Sequence, residues 1–407
     1  MKAFLRKLGP GLLYAGAAIG VSHLVQSTRA GAEYGLALVW AVAAANFFKF
    51  PFFEYGPRYA LVTGESLIEG YRRLGRWAFA LFGVLTVGTM FTIQGAVTMV
   101  TAGIAGHLLG VDWPLWTLAL GLLALSAAIL LTGGYLTLDR LIKYIIVMLA
   151  VSTVAAVVLA LPERAGQLSL RQTWPLSSSL LLFLIPLMGW MPAPFDLAVW
   201  HSIWALEKKK AQPNLRLRDA LIDFHIGYWG TAFLALCFVM LGALVVYPVG
   251  EHLPRGAVAF AARFIGIYTA VLGKGAYLII AVAALTTMFS TTLTCLDAFG
   301  RVMPRFMRQL TLPAGLTVLH RRTAWLFIVG GGALLLIFSA STMRWMVDLA
   351  TALSFVTAPV FAVLNLWLIR KLPPRYRPSR VNQAIAAAGI LFLTLFTAAY
   401  LHTLLAE

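Results

Sequence analysis

Acidic residues are scarce in this chain. Asp and Glu number 15 among 407 residues, Lys and Arg 32, and charged side chains together make up 12%. A soluble domain keeps about 25% of its residues charged, so an ordinary hydrated surface is excluded. Cysteine is scarcer still. The two, Cys237 and Cys295, both fall inside apolar runs, which argues against a disulfide framework and leaves the redox compartment open. There is no Walker loop, nucleophile elbow or His-Glu-x-x-His sequence. Neither an ATP-driven pump nor an enzyme has positive support. No low-complexity tract occurs, and no polar stretch is long enough for a separate soluble domain.

What the chain does have is apolar sequence. Hydrophobic residues make up 60%, and runs of about 20 residues, each enough to cross a hydrocarbon core roughly 30 Å thick, recur throughout. About eleven are legible by length and hydropathy, centred near residues 20, 48, 92, 122, 151, 192, 233, 283, 332, 358 and 392. The expected class is an all-α integral membrane protein, with residues 1–407 forming a single transmembrane domain.

The net charge of +17 follows topology and does not point to nucleic acid. Basic residues gather in alternate loops, for example Arg72, Arg73 and Arg76, then Arg140 and Lys143, then Lys208, Lys209 and Lys210. Further groups follow at Arg301, Arg305, Arg308, Arg321 and Arg322 and at Arg370, Lys371, Arg375, Arg377 and Arg380. Arg164, Arg171, Arg255 and Lys274 are the exceptions. This alternation is the positive-inside pattern. It places the N-terminus, with Lys2, Arg6 and Lys7 on an uncleaved stub, in the cytoplasm and the C-terminus outside, in a bacterial inner membrane. Val258 to Ile267, with Arg263 among apolar residues, reads as an amphipathic helix at the outer surface.

Two hydrophobic stretches are broken at their midpoints. The first runs from Gly11 to Ile19, meets Gly20-Val21-Ser22-His23 and resumes at Leu24. The second runs from Leu180 to Trp190, meets Met191-Pro192-Ala193-Pro194 and resumes at Phe195-Asp196. Backbone freed from helical bonding is tolerated at membrane depth only when buried in protein or lining a wet cavity. A pair of interrupted segments in matching positions of two halves points to a transporter's substrate site.

Gly9-Pro10-Gly11, Ala30-Gly31-Ala32-Glu33-Tyr34-Gly35, Ala45-Asn46, Thr63-Gly64, His201-Ser202 and Ser290-Thr291-Thr292-Leu293-Thr294 with Val302-Met303 occur in that order. In these motifs and their spacing the chain resembles the NRAMP family of divalent-metal transporters. The resemblance implies a LeuT-type fold of two inverted five-helix repeats, here at about residues 8–162 and 176–371, with broken helices one and six and an extra helix at 381–403. It also implies a divalent metal cargo bound at the two breaks.

The departures matter as much. The family's first break is Asp-Pro-Gly-Asn, whose Asp and Asn bind the metal; Gly20, Val21, Ser22 and His23 stand there. Its sixth-helix Met-Pro-His falls either on Met191-Pro192-Ala193 or on Pro194-Phe195-Asp196. Its third-helix Asp, implicated in proton movement, falls on Gln94.

The candidate substrate-binding residues are therefore Gly20, Ser22, His23, Gln26, Met191, Ala193 and Asp196, with His23 and Asp196 the metal ligands. An ionisable group at membrane depth is a functional-site hypothesis by default, and Asp196 is equally suited to capping the resumed helix. Neutral imidazole suits transition metals; His23 can also bond a freed carbonyl structurally. Lys49, Glu54 and Arg58 lie along the second apolar run. Glu54 and Arg58 at i, i+4 form an expected pair, and Lys49 is placed to pair with Glu54, neutralise, or substitute for a bound cation. Arg29 has room to snorkel outward. Thr287, Ser290, Thr291 and Thr294 share one helical face, where LeuT-type symporters bind sodium; ordinary packing and back-bonding account for them equally. With His201 and Gln94 they complete the coupling or gating candidates.

The leading expectation is a secondary transporter working by alternating access, its family-implied cargo a divalent metal, for example a hydrated one such as Mg or Mn, with proton or sodium coupling. The alternatives are a carrier of a small organic or inorganic anion or amino acid, and a transport-inactive, receptor-like relative. No cofactor is expected beyond transported or coupling ions. The expected partners are the lipid bilayer and a small ion or solute, and oligomeric state is left open.

Overall fold

The computed structural model describes residues 10–132, 135–164, 166, 168–174, 177–310 and 313–406. Lys2, Arg6, Lys7 and Gly9 lie outside the described residues. Among those described there is no strand. In chain order the helices are α1 (Pro10–Ala18), α2 (Thr28–Tyr34), α3 (Val39–Thr63), α4 (Leu67–Leu74), α5 (Arg76–Leu109), α6 (Leu115–Thr132), α7 (Tyr135–Arg164) and α8 (Ser178–Gly189). They continue as α9 (Asp196–Ala211), α10 (Leu217–Val245), α11 (Ala257–Leu272), α12 (Tyr277–Met307), α13 (Arg322–Ser339), α14 (Met343–Arg370) and α15 (Arg380–Ala406).

Eight of these are long and apolar enough by themselves to cross a membrane. The expected count of about eleven is larger for two physical reasons. The broken segments are each split into pieces too short to cross alone, and α3 carries Asn46, Lys49 and Glu54, which lower its hydropathy. The amphipathic segment is a helix, α11, with Phe260, Phe264 and Tyr268 buried and Arg263 paired to Glu251 at 2.6 Å.

The broken segments sit in the middle of the bundle. Helices α1 and α2 pack along α10, α9 packs on α3, and α8 on α14. Helices approach closely in a membrane where small residues let backbones touch. A Cβ on Gly31 would stand 1.9 Å from the Val239 carbonyl, and one on Gly227 2.2 Å from the Gly11 carbonyl. Any side chain at either position would push α10 away.

Candidate functional site

The first break differs from the unwound stretch expected. The chain bends at Ile19-Gly20 and then forms a π-helical turn over Ser22–Ser27 that runs directly into α2. A widened turn leaves carbonyls without their usual i+4 amide. Here the hydroxyl of Ser27 donates to the Ser22 carbonyl at 3.1 Å and that of Thr28 to the His23 carbonyl at 3.5 Å. Such turns mark functional sites more often than helices at large.

The second break is open. Residues 190–195 are non-helical, and Pro192 and Pro194 bring no amide hydrogen to a helix. The last carbonyls of α8 therefore lack their i+4 amides, and Met188 O keeps a turn bond from the Met191 amide at 3.2 Å. Lys49 meets them from α3, its ammonium donating to Met188 O at 2.6 Å and Gly189 O at 2.8 Å. Lys49 does not pair with Glu54. A cation at a helix C-terminus is favoured by the helix dipole, and the Phe195 and Phe355 rings, 5.6 and 5.7 Å away, add their faces.

The two breaks touch. Ser22 Oγ lies 3.4 Å from the Pro192 carbonyl, and Ser27 Oγ lies 3.9 Å from Met191 Sδ. Between them is a small cavity of about 20 Å³ lined by Ala17, Ala18, Val21, Ser22, Ala193 and Thr291, with Ile93, Val97, Trp190, Pro194, Leu197, Trp200 and Cys295 completing the wall. That volume admits about one water. Gly20 is packed beside it, where a Cβ would stand 3.0 Å from the Thr291 side chain.

The sequence-derived residues divide around this cavity. Both ring nitrogens of His23 are engaged: Nε2 donates to the Thr231 carbonyl at 2.9 Å, and Nδ1 faces Ser22 Oγ at 2.8 Å. A carbonyl cannot donate, so the neutral ring carries its proton on Nε2. His23 is a strut to α10 in this conformation, with no nitrogen left for a metal. Asp196 is the first residue of α9, and its side chain makes no cap; Phe195 holds the cap position. The carboxylate is buried, with Thr89 beside it and Oδ1 unpartnered among the described residues. It does not line the cavity. Met191-Pro192 thus meets the first break, while Asp196 turns toward α5.

Gln26 donates to Asp348 Oδ1 at 3.1 Å and faces Thr351 at 3.4 Å. Arg29 is no snorkel: it is buried and bonds both Asp348 oxygens, at 2.8 and 3.0 Å, and Glu33 at 3.1 Å. Arg344 adds a 3.1 Å contact to Glu33. These charges tie α2 to α14 across one end of the broken pair. Glu54 and Arg58 pair as expected, and Glu54 also meets His225 at 3.2 Å and Asn382 at 3.3 Å. Gln94 clamps α5 to α12 through the Thr292 carbonyl at 3.2 Å. Thr291 Oγ1 lies 3.4 Å from both the Gly16 and Ile19 carbonyls, and Thr287 Oγ1 is buried without a partner among the described residues. Ser290 and Thr294 are buried on the same helix. His201 is packed between Tyr14 and Phe224, away from the breaks.

Sequence reasoning missed Asp223, which accepts the Gly11 amide at 2.9 Å at the start of α1, and Asp348. Both are aspartates in apolar runs, the one signal that marks them.

Comparison with known proteins agrees with this architecture. The profile of the Nramp family, natural resistance-associated macrophage protein-like, matches residues 11–403. The chain belongs to the Nramp family. An uncharacterized protein of Pasteurella multocida (strain Pm70) is 35% identical over 394 residues, 96% of this chain and 90% of that protein. Among solved structures, the Eremococcus coleocola manganese transporter in complex with an aromatic bis-isothiourea compound superposes with TM-score 0.74 at 15% identity, covering 99% of this chain and 87% of that one. MhsT in complex with L-phenylalanine gives 0.67 at 14%, covering 97% and 98%. MHP1, a nucleobase-cation-symport-1 family transporter, gives 0.63 at 13%, covering 97% and 92%. The fold is therefore the LeuT-type transporter fold, and this Nramp chain is an integral membrane transporter.

Proposed function

We propose that this Nramp protein is a secondary active transporter that carries a divalent metal cation by alternating access. The observation that carries this reading is the meeting of two broken segments on a small cavity of about 20 Å³, which has room for a bare ion or one water. In this conformation the space suits a single small ion, and a cargo that sheds its water fits it better than magnesium, which dehydrates reluctantly. The manganese transporter among the structural neighbours supports a metal cargo.

The donors beside the cavity are the Ser22 and Thr291 oxygens and the carbonyls of the breaks. Asp196, outside the cavity wall at the start of α9, serves as the charge that draws the cation in. Coupling is assigned to Thr287 and Thr291 with the Gly16 and Ile19 carbonyls, a hydroxyl and carbonyl set suited to sodium. The inverted repeats are taken as about residues 8–162 and 176–371, with the N-terminus cytoplasmic and the C-terminus outside in a bacterial inner membrane.

One observation favours a second reading. Among the described residues, no group of three His, Cys, Asp or Glu side chains stands together to hold a metal. A small inorganic anion is the cargo that fits this absence. Counterflow in liposomes across manganese, magnesium, cadmium and small anions, with and without a sodium gradient, separates the readings. Saturable divalent counterflow supports the first. Anion flux alone supports the second, and no flux from a folded protein marks a transport-inactive relative.

A further inference from the structure

Two pockets meet where α4, the start of α5 and the end of α12 come together. The larger, about 970 Å³, is a groove along α5 whose wall is apolar: Val84, Val87 and Gly88 on one side, Phe306 and Leu310 on the other. Val84 is 69% exposed, and a Cβ on Gly88 would meet nothing within 4 Å. Because α5 crosses the membrane, a groove of this character faces hydrocarbon. Arg72 and Arg76 stand at its head.

Neither arginine has a carboxylate partner among the described residues. Arg72 bonds the Gln309 carbonyl, which leaves its charge unneutralised, and its guanidinium lies 5.9 Å over the Phe79 ring. Across Gln309 the second pocket, about 570 Å³, adds Arg305 and Arg308. Glu69 neutralises Arg305 at 2.9 Å; Arg308 forms no ion pair among the described residues.

We propose that this groove binds one anionic phospholipid, with an acyl chain along α5 and the phosphodiester on Arg72 and Arg76. The charge complementarity is specific. A neutral lipid gains only the apolar wall, whereas an anionic head group also gains roughly 1 kcal/mol per arginine near the membrane surface. The Gly88 gap gives the chain its depth.

The test is native mass spectrometry of the full-length protein in detergent with equal phosphatidylglycerol and phosphatidylcholine. The wild type is expected to retain phosphatidylglycerol about thirtyfold better, the factor that the two-arginine contribution produces. Arg72→Gln with Arg76→Gln should abolish that preference. If the double variant fails to fold, Arg76→Gln alone, at the exposed start of α5, should reduce it at least about threefold. Gly88→Leu, which fills the groove, should lower occupancy by both lipids. Millimolar inorganic phosphate should leave the bound lipid in place. Equal retention of the two lipids by the wild type would overturn the proposal. So would a preference that survives loss of the arginines, unchanged occupancy in Gly88→Leu, or displacement of the lipid by phosphate, which would make the cluster an inorganic-anion site.

Discussion

At the first break the carbonyls of the widened turn are met from within the segment by neutral partners, the Ser27 and Thr28 hydroxyls folding back on it, while the His23 side chain reaches out to the Thr231 carbonyl of α10. At the second break they are met from another helix by a full charge, the Lys49 ammonium on the Met188 and Gly189 carbonyls. A neutral network can rearrange one bond at a time. An ammonium buried on two carbonyls is held until something takes its place. The difference is one of position: α8 is pinned to α3 by a charge placed on the break itself, while at the first break charge enters beyond the bend, where Gln26 and Arg29 tie the segment to Asp348. Lys49 is a resident cation in a molecule whose proposed cargo is also a cation.

The largest effect should come from removing that charge. Lys49→Met leaves the Gly189 carbonyl without its ammonium donor and the Met188 carbonyl with backbone amides alone, and should cost roughly 2–5 kcal/mol, read as a lowered melting temperature in detergent. An unchanged melting curve would mean that α8 is held by packing alone. Next, His23→Ala should cost about 1–3 kcal/mol, because the buried imidazole and its added hydrogen bond to the Thr231 carbonyl of α10 are lost, and should alter metal affinity little. A hundredfold loss of affinity with unchanged melting would instead mark His23 as a ligand.

The membrane class and the approximate positions of both breaks are legible in the sequence, because scarce charge exposes the apolar runs and Pro192, Pro194 and Gly20 interrupt them. The partners are not. Lys49 finds its carbonyls 139 residues away, and Arg29 finds Asp348 at a separation of 319. Those meetings depend on the rotation of each helix about its axis, which no local pattern encodes. The π-helical turn was invisible for a related reason: Ser22 and Ser27 read as polar residues at a gap, and only the fold shows one closing the widened turn over the other. Asp196 reads as a cap or ligand at the break, yet its carboxylate turns toward Thr89.

Smaller effects sharpen the comparison. Gly20→Asp returns a carboxylate to the first break, but its Cβ would press on Thr291 at 3.0 Å, so it should destabilise by about 1 kcal/mol. Pairing it with Thr291→Ser should recover part of that loss and raise divalent affinity, measured by calorimetry. No gain in affinity in the pair would mean that the first break does not face the cargo. Ser22→Ala removes one neutral contact between the breaks and should cost under about 1.5 kcal/mol. A loss as large as that of Lys49→Met would erase the distinction between the two breaks.

The account rests on a cation passing between the breaks under the influence of Asp196. Its most direct test is divalent-cation uptake into liposomes by Asp196→Asn, alongside its melting temperature. Asn keeps the size of the side chain and removes only the charge. The predicted result is uptake reduced about tenfold or more, the factor that 1.4 kcal/mol of lost attraction produces, with melting unchanged or raised, since the buried carboxylate lacks a full set of partners. Uptake equal to that of the wild type would contradict the cation assignment at this site.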